Sequence, residues 1–455
     1  MIRIIYLLLI SALFSSSLEL YGTGERYDFI SASGLGMGGA YHFSDDSDNI
    51  NPTSIATYWK SNLTRISLSA MFFSNITGYN DKNINLSSFL FSFPLHKNKN
   101  LTFGLTPYTR ADIEIHETSG YTIGEGSSEF NPVLNSLNDY YVYGGISNLF
   151  TAFSMRLNKS NSFGIQINNL FGNQLHLNKI TISELDPSFD LDDSLDYTYD
   201  EYDSTHQVIF NNFSGYSIKL DWILEIKRHQ FAFSATSMGP IDIKHKIYYN
   251  LYAIADPIER FIYNNYNFLS IESGSDILQY EPYYSIDIND DIDFNSFFKK
   301  IFSRINDFSI GYHYNLFNKG FILEYHSKDL FKNESLKNDG ISIFNHNQPS
   351  TCSYHIGAYQ KYLNSKLNSW NSITVRLGGY YKQILSNNTL EEDHFRDIAL
   401  TFGVGIKLNN NKNLVDLGLK FGKMDHYLFQ NEYYAKGILT IDIGERWFER
   451  FRRDR

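Results

Sequence analysis

The glycine-rich stretch Ser31–Tyr41 is the first candidate for chemistry in this sequence. Its Gly34, Gly36 and Gly39 match the GxGxxG pattern that brings backbone against a pyrophosphate in dinucleotide-binding folds. That use requires a buried strand before the glycines and a helix after them. Here no apolar strand of adequate length precedes them, and the acidic run Ser44–Asp48 follows. We therefore expect no nucleotide cofactor.

The histidines and acidic residues lack the spacing of an active or metal site. His313 and His355 have no second histidine or carboxylate at ligand spacing, and we interpret them as polar residues on the wet face of strands. Neither HExxH nor GxSxG occurs, although a hydrolase that assembled Ser, His and Asn from separate strands would leave no linear motif. We predict no catalytic residue, no metal, no cofactor and no enzymatic activity.

Charge and cysteine content exclude further classes. Lys and Arg total 39 against 50 Asp and Glu, a net charge of −11, and the basic residues cluster only in the C-terminal tail after Arg450. A nucleic-acid partner is therefore not expected. The single cysteine, Cys352, excludes an intrachain disulfide and a cysteine-rich metal site.

The N-terminus predicts export. Arg3 precedes the apolar run Ile4–Phe14, and the small residues Ser15–Ser17 follow, which is typical of a cleaved signal peptide over residues 1–17. No later apolar stretch reaches the roughly 18 residues that a transmembrane helix needs. The mature chain is then either an exported soluble protein or a membrane-spanning β-barrel.

Period-two alternation favours the barrel. Aromatic residues make up 16% of the chain while the mean hydropathy is only −0.31, as expected for sheets with one apolar and one wet face. Runs such as Thr401–Leu408, Val415–Gly422 and Tyr216–Trp222 alternate strictly. Roughly a dozen such strands occur, many of about 9–12 residues, against about 5–6 in a soluble sandwich. We predict an all-β fold, a transmembrane antiparallel β-barrel.

Charged residues in mid-strand would then line the lumen. The tentative lumen cations are Lys219, Arg376, Lys407 and Lys420. The acidic stretch near 184–204, which lacks the glycine-containing loop of a calcium site, and the insert near 255–302 are predicted to be long outer loops. The predicted division is a signal peptide (1–17), an N-terminal segment (18–62) and a barrel (63–455).

The N-terminal motifs resemble a known family. The run Gly36–Tyr41, the pair Asp45–Asp46 and then Asn51–Ala56 follow the order and spacing of GMGGA, an acidic pair and NPAG in the FadL-like outer-membrane transport family. The sequence departs at Thr53 and Ser54, where that family usually has Ala and Gly. The segment Leu439–Ile443 resembles the last strand of such barrels.

The resemblance implies a barrel of about 14 strands in the bacterial outer membrane, with the N-terminal segment folded into the lumen as a hatch. It also implies passive, hatch-gated uptake of hydrophobic small molecules such as long-chain fatty acids or hydrocarbons, with outer-membrane lipid and the ligand as partners. The implied hatch residues are Gly34, Gly36, Gly38, Gly39, Asp45, Asp46, Asn51 and Pro52.

Two alternatives share the barrel prediction. PorV-like barrels of the type IX secretion system have the same opening motif and receive secreted protein cargo, and a general pore or structural barrel would have no dedicated ligand. We also hypothesise that Asp45, Asp46 and Asp48 pair with lumen cations such as Lys219, Arg376, Lys407 or Lys420; alternatively, these charges are simply hydrated.

Overall fold

The computed structural model describes residues 25–27, 31–44, 50–75, 82–122, 133–189, 195–253, 278–280, 305–328, 350–363, 370–385, 394–408, 413–425 and 432–445. The predicted signal peptide, Asp45, Asp46 and nearly all of the 255–302 insert lie outside these residues. Among the helices in the described residues, none is long and apolar enough to span a membrane.

Strands dominate the described chain. Their bounds are β1 (Glu25–Arg26), β2 (Thr64–Asn75), β3 (Lys82–His96), β4 (Lys99–Thr122), β5 (Val133–Arg156), β6 (Asn161–Phe189), β7 (Leu195–Ile226), β8 (His229–Ala253), β9 (Leu278–Tyr280), β10 (Asp307–Leu316), β11 (Lys319–Lys328), β12 (Ser350–Leu363), β13 (Trp370–Leu385), β14 (His394–Leu408), β15 (Asn413–Asp425) and β16 (Glu432–Glu445). A short helix, α1 (Ala32–Gly36), and a 3₁₀ helix (Ile55–Lys60) precede β2.

Fourteen of these strands form one closed antiparallel barrel. Strands β2–β8 and β10–β16 pair with their neighbours, β2 pairs with β16 from Thr64↔Glu445 onward, and β4 pairs with β5 to complete the ring. The sequence prediction of an all-β transmembrane barrel is confirmed. Closure removes the open sheet edges that lipid cannot hydrogen-bond.

The two faces of the wall follow the alternation of the sequence. In β13, Arg376 points inward and is 1% exposed, whereas the next residue, Leu377, points outward and is 63% exposed. In β2, Arg65 and Ser67 are buried while Ile66 and Leu68 are exposed. Because successive side chains of a strand point to opposite faces, one period-two pattern yields an apolar exterior and a polar interior.

The barrel is taller on one side. Strands β4–β8 have 24–32 residues, whereas β10–β16 have 10–16. Since about 9–11 residues cross a bilayer, β4–β8 extend well beyond it. They extend opposite the short turns that join β3 to β4 and β7 to β8, hence on the outer side of an outer-membrane barrel.

The stretch near 184–204 differs from the sequence expectation. We predict a long outer loop there, but residues 184–189 continue β6 and residues 195–204 belong to β7, with Leu185 paired to Tyr199. The alternation Leu195–Tyr197–Tyr199 with intervening polar residues is itself a strand pattern, which the acidic composition obscured.

We predict that Leu377→Arg lowers the free energy of unfolding in a lipid bilayer by about 2–4 kcal/mol, because it puts a charge on the lipid-facing surface near the middle of β13. The control Leu377→Phe keeps this face apolar and should change stability by less than about 0.5 kcal/mol. Urea unfolding in lipid vesicles measures both. Equal stability of the two variants would contradict a lipid-facing position.

Candidate functional site

Residues 31–44 and 50–60, here called the N-terminal segment, lie inside the barrel. The helix α1 packs against β13–β16, and the 3₁₀ helix packs against β4–β7 on the opposite side of the ring. Residues 31–40 and 50–58 are all buried. The Ser31 Oγ caps α1 by accepting a hydrogen bond from the Gly34 amide at 3.2 Å. The segment thus spans the lumen from wall to wall.

The glycines of this segment sit where backbone meets backbone. Gly38 has a φ of +75°, and a Cβ there would lie 2.2 Å from the Ile356 carbonyl oxygen and 2.7 Å from that of Gly379. A Cβ on Gly36 would lie 2.7 Å from the Gly403 Cα. The Gly34 carbonyl accepts from the amides of residues 37, 39 and 40. Side chains at positions 36 and 38 would push the segment off the wall.

The Asn51–Pro52 turn is held by hydroxyl groups. The Asn51 Oδ1 accepts from the Thr53 amide at 3.3 Å and from the Thr53 Oγ1 at 2.8 Å. The Thr53 Oγ1 also lies 2.7 Å from the Tyr41 carbonyl, and the Ser54 Oγ donates to the His42 carbonyl. Thr53 and Ser54 are the two positions that depart from the FadL-like motif, and here their hydroxyls join the two halves of the segment.

The four predicted lumen cations are all buried, and the structure supplies carboxylates for them from the wall. Arg376 Nη1 lies 2.9 Å from Asp416, and Lys420 Nζ lies 3.3 Å from Asp397. Lys219 Nζ lies 3.5 Å from Asp221 and also donates to the Thr53 carbonyl. Lys407 interacts electrostatically with Asp442. The hypothesised pairing with Asp45, Asp46 and Asp48 stays a prediction, because all three lie outside the described residues.

Sequence reasoning missed two contributors to the lumen. Arg65 is 2% exposed and pairs with Asp442 at 2.9 Å across the β2–β16 junction, where the two chain ends of the barrel meet. Glu324 accepts the Tyr41 amide at 2.7 Å and the His42 amide at 3.0 Å, so it holds the N-terminal segment. Both occupy inward positions of the alternation, which is the signal that could have found them.

Histidines cluster next to Glu324. His326 Nε2 lies 2.8 Å from the Glu324 carboxylate, and its ring stacks on His355 with the centroids 4.3 Å apart. His355 Nδ1 is 2.6 Å from the Gly38 carbonyl. Burial lowers the pKa of His42 to about 3, so its imidazole is neutral at neutral pH. His355 is indeed on the lumen face, but it contacts the segment rather than water.

His313, the other histidine considered in the sequence, also faces the lumen. Its Nδ1 lies 2.8 Å from the Gln230 Oε1 and its Nε2 lies 3.2 Å from the Tyr359 hydroxyl. Both ring nitrogens therefore have protein partners, which fits a polar residue with a packing role.

The wall has a break between β3 and β4. Their pairing ends at Phe89↔Leu105, and beyond this point β3 pairs with β2 while β4 pairs with β5 and β1. Register shifts leave one extra residue in each strand at this level, Ser87 in β3 and Tyr108 in β4. Such bulges bend a strand, and Pro107 has no amide to donate.

Residues 25–27 occupy this break. The Tyr27 amide donates to the Tyr108 carbonyl at 3.1 Å, and the Asn85 amide group of β3 donates to the Tyr27 hydroxyl at 3.2 Å. The Arg26 guanidinium lies 4.8 Å from the centre of the Tyr108 ring and forms an ion pair with Asp307. Tyr27 thus bridges the separated strands, and Arg26 links β4 to Asp307 of β10.

A small cavity lies behind the break. It has a volume of about 60 Å³. Its lining combines aromatic, cationic and amide side chains, among them Tyr27, Tyr41, Tyr108, Phe150, Arg26, Lys219, Lys328, Gln166 and Asn168. An engineered protein cavity that binds benzene has a volume of about 150 Å³. The cavity behind the break is therefore too small for a hydrocarbon unless the surrounding groups move.

The chain is similar to known proteins both in its sequence family and in its fold. The family model described as BamG matches residues 4–237, just over half of the chain. The CymD monoaromatic hydrocarbon channel superposes with a TM-score of 0.52 at 9% identity, covering 92% of this chain and 99% of CymD. No curated protein sequence matches the chain.

Two further solved structures superpose less closely. A Pseudomonas aeruginosa FadL homologue has a TM-score of 0.46 at 8% identity, covering 92% of this chain and 98% of the homologue. The Ralstonia pickettii toluene transporter TbuX has a TM-score of 0.43 at 9% identity, covering 94% of this chain and 99% of TbuX. The barrel fold shared with CymD confirms the architecture predicted from the N-terminal motifs.

We predict that Gly38→Ala lowers the free energy of unfolding by more than about 1–3 kcal/mol. A positive φ at a non-glycine residue usually costs that amount, and the added Cβ would also collide with β12. Heat denaturation followed by gel mobility measures barrel stability, and limited proteolysis measures release of the N-terminal segment. The control is Gly239→Ala, whose Cβ would meet its nearest atom at 3.3 Å. If both variants behave alike, the close packing at Gly38 is not required.

We predict that Asp416→Asn costs about 3–5 kcal/mol of stability, since it leaves the Arg376 guanidinium buried beside a neutral partner. Asp425→Asn removes the carboxylate from an exposed pair with Lys423, whose side chain is 37% exposed, and should cost less than about 1 kcal/mol. Urea unfolding of the two variants provides the comparison. A cost below 1 kcal/mol for Asp416→Asn would show that the lumen charges are hydrated.

Proposed function

The chain belongs to the BamG family, and from its outer-membrane barrel architecture we propose that it takes up hydrophobic small molecules by passive, gated diffusion. Long-chain fatty acids and hydrocarbons are the proposed ligand classes. No covalent step is involved: a ligand binds, a segment of the chain moves, and the ligand passes on. The fold shared with CymD, a monoaromatic hydrocarbon channel by its description, is consistent with this proposal.

One observation carries the proposal: the break between β3 and β4 has a cavity behind it and a removable cover. Residues 25–27 pair with the edge of β4 and reach β3 through the hydrogen bond from Asn85 to the Tyr27 hydroxyl, and they are not part of either wall strand. A lateral opening in the wall suits ligands that partition into lipid, because they can pass between the lumen and the bilayer without crossing water.

The lining of the cavity supports an amphiphilic ligand. Tyr27, Tyr108 and Phe150 offer aromatic surface, whereas Arg26 and Lys219 offer positive charge. An amphiphile with an apolar chain and a carboxylate, such as a fatty acid, matches both features. At about 60 Å³ the cavity is closed to such a molecule, so the proposed mechanism requires displacement of residues 25–27 or of the N-terminal segment.

The N-terminal segment is the proposed hatch. Its contacts with both sides of the lumen explain why water-soluble molecules would not pass freely, and its attachment through side chains rather than strand pairing suits a part that moves. Gly34, Gly36, Gly38, Gly39, Asn51 and Pro52 belong to it in this proposal. The roles of Asp45 and Asp46 remain predictions.

Uptake of radiolabelled oleate by a host that lacks its own fatty-acid channel tests the proposal. Expression of the wild-type chain should raise the initial rate above that of the empty vector. Asp307→Asn, which removes the ion pair with Arg26 but keeps the guanidinium that lines the cavity, should raise it further by roughly fivefold, the effect of about 1 kcal/mol on the closed state. The exposed Lys159→Ala is the matched control and should behave as wild type.

Swelling of proteoliposomes in arabinose distinguishes the alternatives. We expect background swelling with the wild-type chain. Rapid swelling would identify a general pore, and absence of oleate uptake together with a stoichiometric exported protein in the purified sample would identify a cargo-binding barrel. Either result overturns the proposal.

A further inference from the structure

Three buried side chains that the uptake proposal does not use meet in the lumen. His42 comes from the N-terminal segment, and Glu324 and His326 come from β11. Their ligand atoms all lie within 4.8 Å of one another. The residues are 1%, 4% and 3% exposed, respectively. Two imidazoles and one carboxylate are the donor set of a zinc site with an open position.

An unpartnered atom points to a missing ligand. His42 Nε2 is buried and has no hydrogen-bond partner among the described residues. A buried polar atom without a partner costs about 1–3 kcal/mol, and such atoms in native structures call for an explanation. A metal ion bound by the ring would supply it.

We propose that His42, Glu324 and His326 bind a divalent first-row cation, with Zn²⁺ the best match, and that the ion tethers the N-terminal segment to β11. Two ligands at about 2.1 Å from one ion are at most about 4.2 Å apart. The three ligand atoms already lie within 4.8 Å of one another, so small side-chain movements bring them to the ion. The ion replaces the hydrogen bond between His326 Nε2 and Glu324, whose atoms are 2.8 Å apart. Water completes the coordination.

The surroundings orient the three ligands. Glu324 is fixed by the amides of Tyr41 and His42, and His326 is stacked on His355, which is itself held by the Gly38 carbonyl. Such outer contacts commonly set ligand orientation in metal sites.

Two cations oppose binding. The ammonium groups of Lys219 and Lys328 lie 4.5 and 5.4 Å from the centre of the Tyr41 ring, close to the proposed ion. Lys219 is offset by Asp221 at 3.5 Å. We therefore expect weaker affinity than that of a closed site with four protein ligands. The proposal depends on the described geometry alone and stands whether or not the barrel takes up fatty acids.

The test uses the full mature chain, purified in detergent and stripped with EDTA. Equilibrium dialysis against Zn²⁺ should give one bound ion per chain, and Zn²⁺ should raise the midpoint of thermal unfolding. His42→Ala and Glu324→Gln should each weaken binding at least tenfold and abolish the thermal shift. His313→Gln is the matched control, because His313 is equally buried but has protein partners on both ring nitrogens.

A second variant distinguishes loss of the metal site from misfolding of the barrel. His42→Cys should bind Co²⁺ with a thiolate-to-metal charge-transfer band in the near ultraviolet, which the wild-type chain lacks. Heat-modifiable gel mobility verifies that each variant forms the barrel. The proposal is overturned if the wild-type chain binds no ion, if folded His42→Ala binds as tightly as wild type, or if folded His42→Cys shows no such band.

Discussion

The barrel wall provides hydrogen-bond partners for the backbone of the N-terminal segment, which makes few such bonds within itself. The polar side chains of the lumen are placed where this backbone needs them. The N-terminal segment is largely irregular, and an irregular backbone is tolerated at membrane depth only where protein or water satisfies it. Thr440 accepts the Ala32 amide at 3.1 Å, Thr401 the Gly38 amide at 2.8 Å, and Asp221 the Ile55 amide at 2.8 Å. Inward-facing side chains thus replace the hydrogen bonds that a regular element would make internally.

Docking of the segment in the lumen also explains why the buried lumen charges lie in close pairs. With the segment in place, Arg376 and Asp416 are almost fully excluded from solvent. Charges removed from water need close partners, since an unpaired one costs several kcal/mol. Arg376 of β13 and Asp416 of β15 therefore meet over Gly405 of the intervening β14, and Lys420 and Asp397 meet between the adjacent strands β15 and β14. The pairing register of the wall holds these charges in place, so the segment contacts a lumen surface whose polarity is fixed. Specific docking of the segment follows from that surface.

Much of the barrel could be predicted from the sequence, because alternation reports directly on a two-faced strand. The inward positions of Lys219 and Arg376 follow from the same rule. The meeting of His42 with Glu324 and His326 could not be predicted, since 282 residues separate His42 from Glu324 in the chain and their contact depends on how the segment threads the lumen. The break between β3 and β4 was equally hidden: bulges at Ser87 and Tyr108 are relations between strands and leave no local pattern.

The unequal height of the barrel has a consequence for the molecule's neighbours in a crowded membrane. Above the bilayer, in the part of the chain that the structure describes, β4–β8 continue as a five-stranded sheet whose edge strands are β4 and β8. Exposed edges invite pairing with strands of other molecules. In the described residues β9 pairs with Ile247–Tyr249 of β8 and covers part of that edge, whereas β1 pairs with Thr109 and Arg110 of β4 at the level of the wall break. The short strand β9 therefore shields part of this sheet from pairing with strands of other barrels.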